Sequence, residues 1–243
     1  MKNLDNYLYI GSCRYQPLFK HFFPPRLHST KEVIYFLNNF ENLYFEDTIA
    51  NFIYGGCRHP LNYPLAVAFR ENFKFNSVDS VDAVICEICS NKVYMQGDVP
   101  FNAYLIKDLT NTRIGFQEII MTKEDIYNDL QIIKDILFNK FNISKLEIIT
   151  HVDLPLEDNK FIVDRRSLVE NLEQVCVDLN IKCYSTGKII LKEYPNILLN
   201  TVLHDGFHYQ NYDGYRYQNV DVSEIENIYL RTIYMDILNQ NSV

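Results

Sequence analysis

The chain has 243 residues, 47% of them hydrophobic and 22% charged, which is enough apolar material for a sizeable core and argues against disorder. A formal net charge of -8 supplies no positive field for non-specific attachment to nucleic acid or to an anionic membrane surface. Six cysteines at 13, 57, 86, 89, 176 and 183 are spread through a chain too large to need stapling, so reduced thiols are expected.

Taken in chain order, the N-terminus runs directly into an apolar stretch without the basic region, long apolar segment and cleavage site of a secretory leader, which predicts a cytoplasmic protein. No apolar run approaches the roughly 18 residues of a bilayer span, so no membrane insertion is expected. Residues Tyr7 to Ile10 read as a buried first strand stopped by Gly11. A hydroxyl cap at Ser29-Thr30, the early acid Glu32 and apolar spacing of three and four predict a helix over Lys31 to Phe40. A further helix is predicted over Pro64 to Asn72, and then a strand over Ser80 to Ile88 that ends in the small polar residues Ser90 and Asn91.

The strongest helix signal starts at Thr122, three residues before Asp125, with Ile126, Leu130, Ile133, Ile136 and Leu137 on one face. A strand over Leu146 to His151, a helix over Asp164 to Leu179 and a short strand over Ile181 to Tyr184 follow, and a final helix is predicted from about Ser223 to Leu238. No repeat or linker divides the chain, so one domain over 1–243 is expected. Strands alternating with helices imply an α/β fold with a mostly parallel sheet, whose ligands bind outside the carboxyl ends of the strands.

Two segments carry residues suited to chemistry. Asp205 and His208 in Leu-His-Asp-Gly-Phe-His-Tyr are spaced so that the acid could fix the tautomer of the ring, although the same spacing occurs in solvated loops. Gly11-Ser12-Cys13-Arg14 follows the first strand, where a nucleophile on a tight turn is exposed and neighbouring backbone N–H groups could hold an oxyanion. The Cys13 thiol needs a base or cation to become reactive, and His208 and Arg14 are the candidates.

Together these blocks resemble the SGNH/GDSL hydrolase superfamily, which has a Gly-Asp-Ser-like turn after its first strand and Asp-x-x-His before its last helix. Gly11-Ser12-Cys13 is similar to the first block, in the form of the Gly-Ser-Cys and Gly-Asn-Cys branches linked to polysaccharide acylation. The resemblance implies a three-layer α/β/α sandwich with a flavodoxin-like central sheet. It puts Cys13 in the place of the nucleophilic serine, with Ser12 as second choice and standing where the family has an aspartate. Oxyanion donors would come from Gly55 or Gly56 and from Ser90 or Asn91, although Glu87-Ile-Cys-Ser-Asn-Lys92 lacks the family's Gly-x-Asn-Asp.

The activity so implied is acyl-ester chemistry on a small-molecule or glycan substrate, by an esterase or an O- or N-acyltransferase. No cofactor is required, and acyl-CoA is a candidate co-substrate. The alternative is a non-catalytic binding or assembly module on the same fold. A nucleotide-binding role is disfavoured because Gly-x-Gly-x-x-Gly and P-loop patterns are missing. His151, at the end of a strand, is a candidate substrate contact, and the tyrosine-rich loop over 209–220 could stack on sugars or wedge the last helix. Cys86 and Cys89 read as core thiols rather than a metal or redox pair, and Arg165 and Arg166 as a solvated face or structural ion pair. Oligomeric state is left open.

Overall fold

A computed structural model describes residues 4–12, 14–15, 18–19, 21–22, 27–39, 81–101, 116–203, 209 and 227–241. Five parallel strands form the main sheet: β1 (Tyr7–Ile10), β2 (His21–Phe22), β3 (Ala83–Ile88), β7 (Lys145–Thr150) and β8 (Lys182–Tyr184), in the spatial order β2-β1-β3-β7-β8. Counting these strands alone, the order is 2-1-3-4-5, which is the flavodoxin-like arrangement. Every residue of β1 and β3 is buried, as expected for apolar runs covered on both faces.

Side chains alternate across the sheet and so build two cores. Leu8, Ile10, Val84, Cys86, Ile88, Leu146 and Ile148 pack against α1 (Thr30–Asn39), α2 (Lys123–Phe141) and α3 (Val163–Asp178). Tyr7, Tyr9, Ala83, Ile85, Ile149 and Tyr184 pack against α4 (Thr186–Glu193), α5 (Leu199–Val202) and α6 (Ile228–Gln240). The molecule is therefore a three-layer α/β/α arrangement, as expected.

The caps explain where the helices begin. Thr122 Oγ1 accepts from the Asp125 backbone N–H at 3.1 Å, and the Thr122 N–H donates to the Asp125 carboxylate at 2.8 Å, closing the capping box that starts α2. The last helix starts later than the expected Ser223. Asn227 is extended, and its side-chain oxygen accepts from the N–H groups of Tyr229 and Leu230, so the helix begins at Ile228. Residues 223–226 and the helix expected at Pro64 to Asn72 lie outside the described residues.

A second, antiparallel sheet was not expected. Its strands β4 (Lys92–Gln96), β5 (Val99–Phe101) and β6 (Gln117–Ile120) run in the order β5-β4-β6. Gln96 pairs with Val99 across the two-residue loop Gly97-Asp98, where Gly97 adopts φ +59°, a conformation that glycine takes without steric cost. β4 starts directly after Asn91, so this sheet continues the chain that leaves the carboxyl end of β3. No described helix is long and apolar enough to cross a membrane.

Candidate active site at the carboxyl edge of the sheet

Strand order reverses between β1 and β3, and in folds of this kind the ligand crevice lies outside the carboxyl ends of the strands at that reversal. Ile10 pairs with Cys86, which brings Gly11 alongside Glu87. A Cβ at position 11 would lie 2.6 Å from Glu87 Cβ and 2.8 Å from the Tyr9 hydroxyl, so the close approach of the two strand ends requires glycine there.

Glu87 is fully buried and interrupts an otherwise apolar strand. Its Oε2 accepts from the Ser12 backbone N–H at 3.1 Å and from the Ser12 hydroxyl. The Tyr9 hydroxyl stands 2.6 Å from the same oxygen and 2.7 Å from the Ser12 carbonyl, its single proton shared between the two acceptors. Burial and the neighbouring Glu87 charge raise the Tyr9 pKa well above its usual value, so it serves as a donor. Glu87 Oε1 is ion-paired with Arg14 Nη1. Burial opposes the charge on Arg14, and the Glu87 carboxylate, together with the smaller influences of Tyr15, Cys89 and Tyr209, outweighs that cost, so the guanidinium is held protonated.

Arg14 Nη2 lies 3.0 Å from His151 Nε2, and His151 Nδ1 lies 3.2 Å from the Val152 carbonyl. A guanidinium can only donate, so Nε2 accepts and the proton sits on Nδ1. Burial, then the charges of Arg14 and Arg165, hold His151 neutral, with its pKa well below the histidine norm. Arg165 Nη1 donates to the same Val152 carbonyl at 3.1 Å. One chain of contacts thus joins the turn after β1, the end of β3, the end of β7 and the start of α3.

A second chain of contacts lies beside it. The Tyr15 hydroxyl stands 2.9 Å from the Thr150 carbonyl and 3.0 Å from Thr186 Oγ1. The Tyr15 ring meets that of Tyr209 edge-on, with centroids 6.2 Å apart at 61°. Tyr209 in turn forms an isolated antiparallel bridge with Leu203. Gly187, at the start of α4, has no room for a side chain, because a Cβ would fall 2.1 Å from the Asp153 carbonyl oxygen.

Of the residues singled out from sequence, Ser12, Arg14 and His151 come together in this buried network. The Ser12 hydroxyl is engaged with Glu87 and also accepts from the Arg14 N–H at 3.2 Å. The backbone N–H groups of Ser12 and Arg14 are therefore both engaged, the first by Glu87 and the second by the Ser12 hydroxyl. Ser90 sits apart from the network, its hydroxyl accepting from Lys92 N–H at 3.0 Å and donating to the Lys92 carbonyl at 2.8 Å. The Asn91 carbonyl accepts from the Met121 N–H at 2.7 Å. Cys13, Gly55, Gly56, Asp205 and His208 lie outside the described residues, as does the 209–220 loop apart from Tyr209.

Sequence reasoning missed Glu87, Tyr9 and Tyr15 and set Arg165 aside. The available signal was the acid within Ala83-Val-Ile-Cys-Glu-Ile88, because a charge in a fully buried strand must have a partner. Cys86, Cys89, Cys176 and Cys183 are free thiols, and burial raises the pKa of Cys86 and of Cys89. Arg166 pairs with Asp153 at 2.6 Å. Among the described residues no group of three or more histidine, cysteine or acidic side chains could hold a metal ion.

No family model matches the chain, and no curated protein matches it. Among solved structures it is similar to catalytic variants of Axe2, an acetylxylan esterase from Geobacillus stearothermophilus. One is 11% identical with a TM-score of 0.46, covering 100% of this chain and 96% of the other. Another is 10% identical with a TM-score of 0.44, covering 97% and 94%.

Proposed function

We propose that the chain catalyses acyl-ester chemistry on a carbohydrate-type substrate, as an SGNH-like esterase or acyltransferase. In this reading the Cys13 sulfur attacks the ester or thioester carbonyl, His208 accepts the thiol proton, and Asp205 orients His208. Collapse of the tetrahedral adduct breaks the bond to the leaving group, which takes the proton from His208 and leaves a thioester on Cys13. Water or a sugar hydroxyl then attacks that thioester and frees the thiol. A transferase would draw its acyl group from a donor such as acyl-CoA.

The observation that supports this reading best is the contact between Tyr15 and Tyr209. Tyr15 is two residues after Cys13 and Tyr209 is one residue after His208, so the flanks of the two motifs meet at the carboxyl edge of the sheet. Motif segments from opposite ends of the chain have no reason to adjoin unless the fold brings them together.

The test is the mass of the intact protein after brief exposure to an activated acyl ester. An added acyl group on the wild type, missing from both Cys13→Ala and His208→Ala, is the expected result. Equal labelling of all three proteins, or of none together with no ester hydrolysis, would remove the enzyme reading.

The second reading, a non-catalytic binding or assembly module, is favoured by one specific feature. The Ser12 N–H is taken by Glu87 and the Arg14 N–H by the Ser12 hydroxyl, which reduces the backbone donors left for an oxyanion. Its signature would be glycan binding without acyl transfer.

A further inference from the structure

On the footing of the acyl-transfer reading above, we propose that Glu87 is the positioning residue of the turn that carries Cys13. Its carboxylate fixes Ser12 on one side of the cysteine and Arg14 on the other.

The two carboxylate oxygens divide the work. Oε2 takes the Ser12 N–H, the Ser12 hydroxyl and the Tyr9 hydroxyl, while Oε1 takes the Arg14 guanidinium. The residues immediately before and after Cys13 are thus tied to one side chain on the neighbouring strand. Parallel pairing of Ile10 with Cys86 sets that side chain beside Gly11, and the missing Cβ at Gly11 lets it approach. The Ser12 hydroxyl closes the turn by accepting from the Arg14 N–H.

A buried ion pair adds little net stability over an apolar pair of the same volume, so its distinguishing consequence here is the geometry it imposes. The pair also sets local charge. One carboxylate stands against one guanidinium next to the thiol residue, and removing the negative partner favours the thiolate.

Glu147 provides an internal control. It is as fully buried as Glu87 and lies on the same side of the sheet, but towards the amino end of β7. Its carboxylate accepts from the Tyr184 hydroxyl at 2.9 Å and pairs with Lys145 at 2.9 Å, and among the described residues it makes no bond to Ser12 or Arg14.

The experiment compares the full-length wild type, Glu87→Gln and Glu147→Gln. Two rates are followed at Cys13 by peptide-resolved mass spectrometry: acylation by p-nitrophenyl acetate and alkylation by iodoacetamide across pH. For Glu87→Gln the alkylation midpoint should move to lower pH with a plateau within about twofold of wild type, while acylation at plateau pH falls at least about tenfold. Glu147→Gln should match the wild type in both. Wild-type acylation in Glu87→Gln, or an equal fall in both variants, overturns the proposal.

If Glu87→Gln does not fold, Glu87→Asp keeps the charge and shortens the reach by one methylene. It should slow acylation with the alkylation midpoint in place, and unchanged acylation counts against the proposal. If the wild type itself is not acylated, the acyl-transfer reading fails separately. The alkylation midpoint then judges Glu87 alone, and an unmoved midpoint in Glu87→Gln overturns its role.

Discussion

The ring of Tyr209 stands edge-on to the ring of Tyr15, and both are completely buried. This contact ties the chain after His208 to the chain after Cys13, so it should matter both to stability and to any joint action of the two motifs. Tyr209→Ala removes a large buried ring and should cost about 3–5 kcal/mol in urea denaturation. Tyr209→Phe keeps the ring and removes a buried hydroxyl that has no hydrogen-bond partner among the described residues, so it should change stability by less than about 1 kcal/mol. If the two variants are equally destabilised, the ring contact is not what joins these segments. The phenylalanine variant should also keep the acylation rate of the wild type.

Buried Glu32 makes a pH prediction whose sign is definite. Its Oε2 accepts from the N–H of Ser29 at 2.8 Å and of His28 at 3.1 Å, and from the Ser29 hydroxyl at 2.7 Å. Burial outweighs these bonds and raises its pKa from 4.5 to about 7. Folding therefore takes up a proton between those values, and stability declines as pH rises through that window. Glu32→Gln keeps an acceptor oxygen without a charge to bury. Relative to this variant, the wild type should lose about 3 kcal/mol between pH 4.5 and 7.5. Denaturation curves taken at both pH values check it, and equal pH dependence in the two proteins would rule out the shifted carboxyl.

His151 works in the opposite direction. The folded protein keeps it neutral, whereas the unfolded chain takes up a proton near the ordinary value of 6.5. Its contribution to stability is complete above that pH and is lost at about 1.4 kcal/mol per pH unit below it. His151→Gln can accept from Arg14 and donate to Val152 through its two amide atoms, and should remove this acid sensitivity. Long-range nitrogen–proton spectra should show the Nδ1–H tautomer at pH 7.5, with the ring still neutral below the ordinary histidine pKa. An Nε2–H tautomer would contradict the bond with Arg14, because the guanidinium has no lone pair to accept that proton.

Several parts of this structure could be read from the sequence because one local signal decided them. Thr122 and Asp125 announce a capping box, and Ile126, Leu130, Ile133 and Leu137 do form the buried stripe of α2. The apolar runs at Tyr7 and Val84 likewise become the two central strands of the reversal point. The small antiparallel sheet escaped notice because β4 and β6 are short and largely uncovered, with Val93 the only fully buried residue in the two strands. The start of α6 was misplaced because Asn227 is an ordinary residue until its side chain is seen to cap.

The network at the candidate site depends on register, which no window of sequence contains. Ser12 has no acid beside it in the sequence, and the carboxylate that binds its N–H and hydroxyl comes from Glu87, 75 residues further along. The isolated acid in β3 hinted at a buried partner but could not say which strand end would supply it.

Glycine substitutions separate close approach from backbone conformation. At Gly11 a methyl group would collide with Glu87 Cβ at 2.6 Å, and that atom belongs to a strand that cannot move without breaking pairs with β1 and β7. At Gly97 nothing lies within 4 Å, but φ is +59°, so alanine there faces only conformational strain. Gly97→Ala should therefore cost about 1–2 kcal/mol and leave Cys13 chemistry untouched. Gly11→Ala should cost about 3 kcal/mol or more by overpacking. It should also displace Glu87 from Ser12, and so slow acylation of Cys13 in whatever fraction remains folded. Thermal melts and the p-nitrophenyl acetate assay on both variants decide the point. Wild-type stability in Gly11→Ala would mean that the ends of β1 and β3 are not held in contact, and the carboxylate bridge to Ser12 would lose its structural basis.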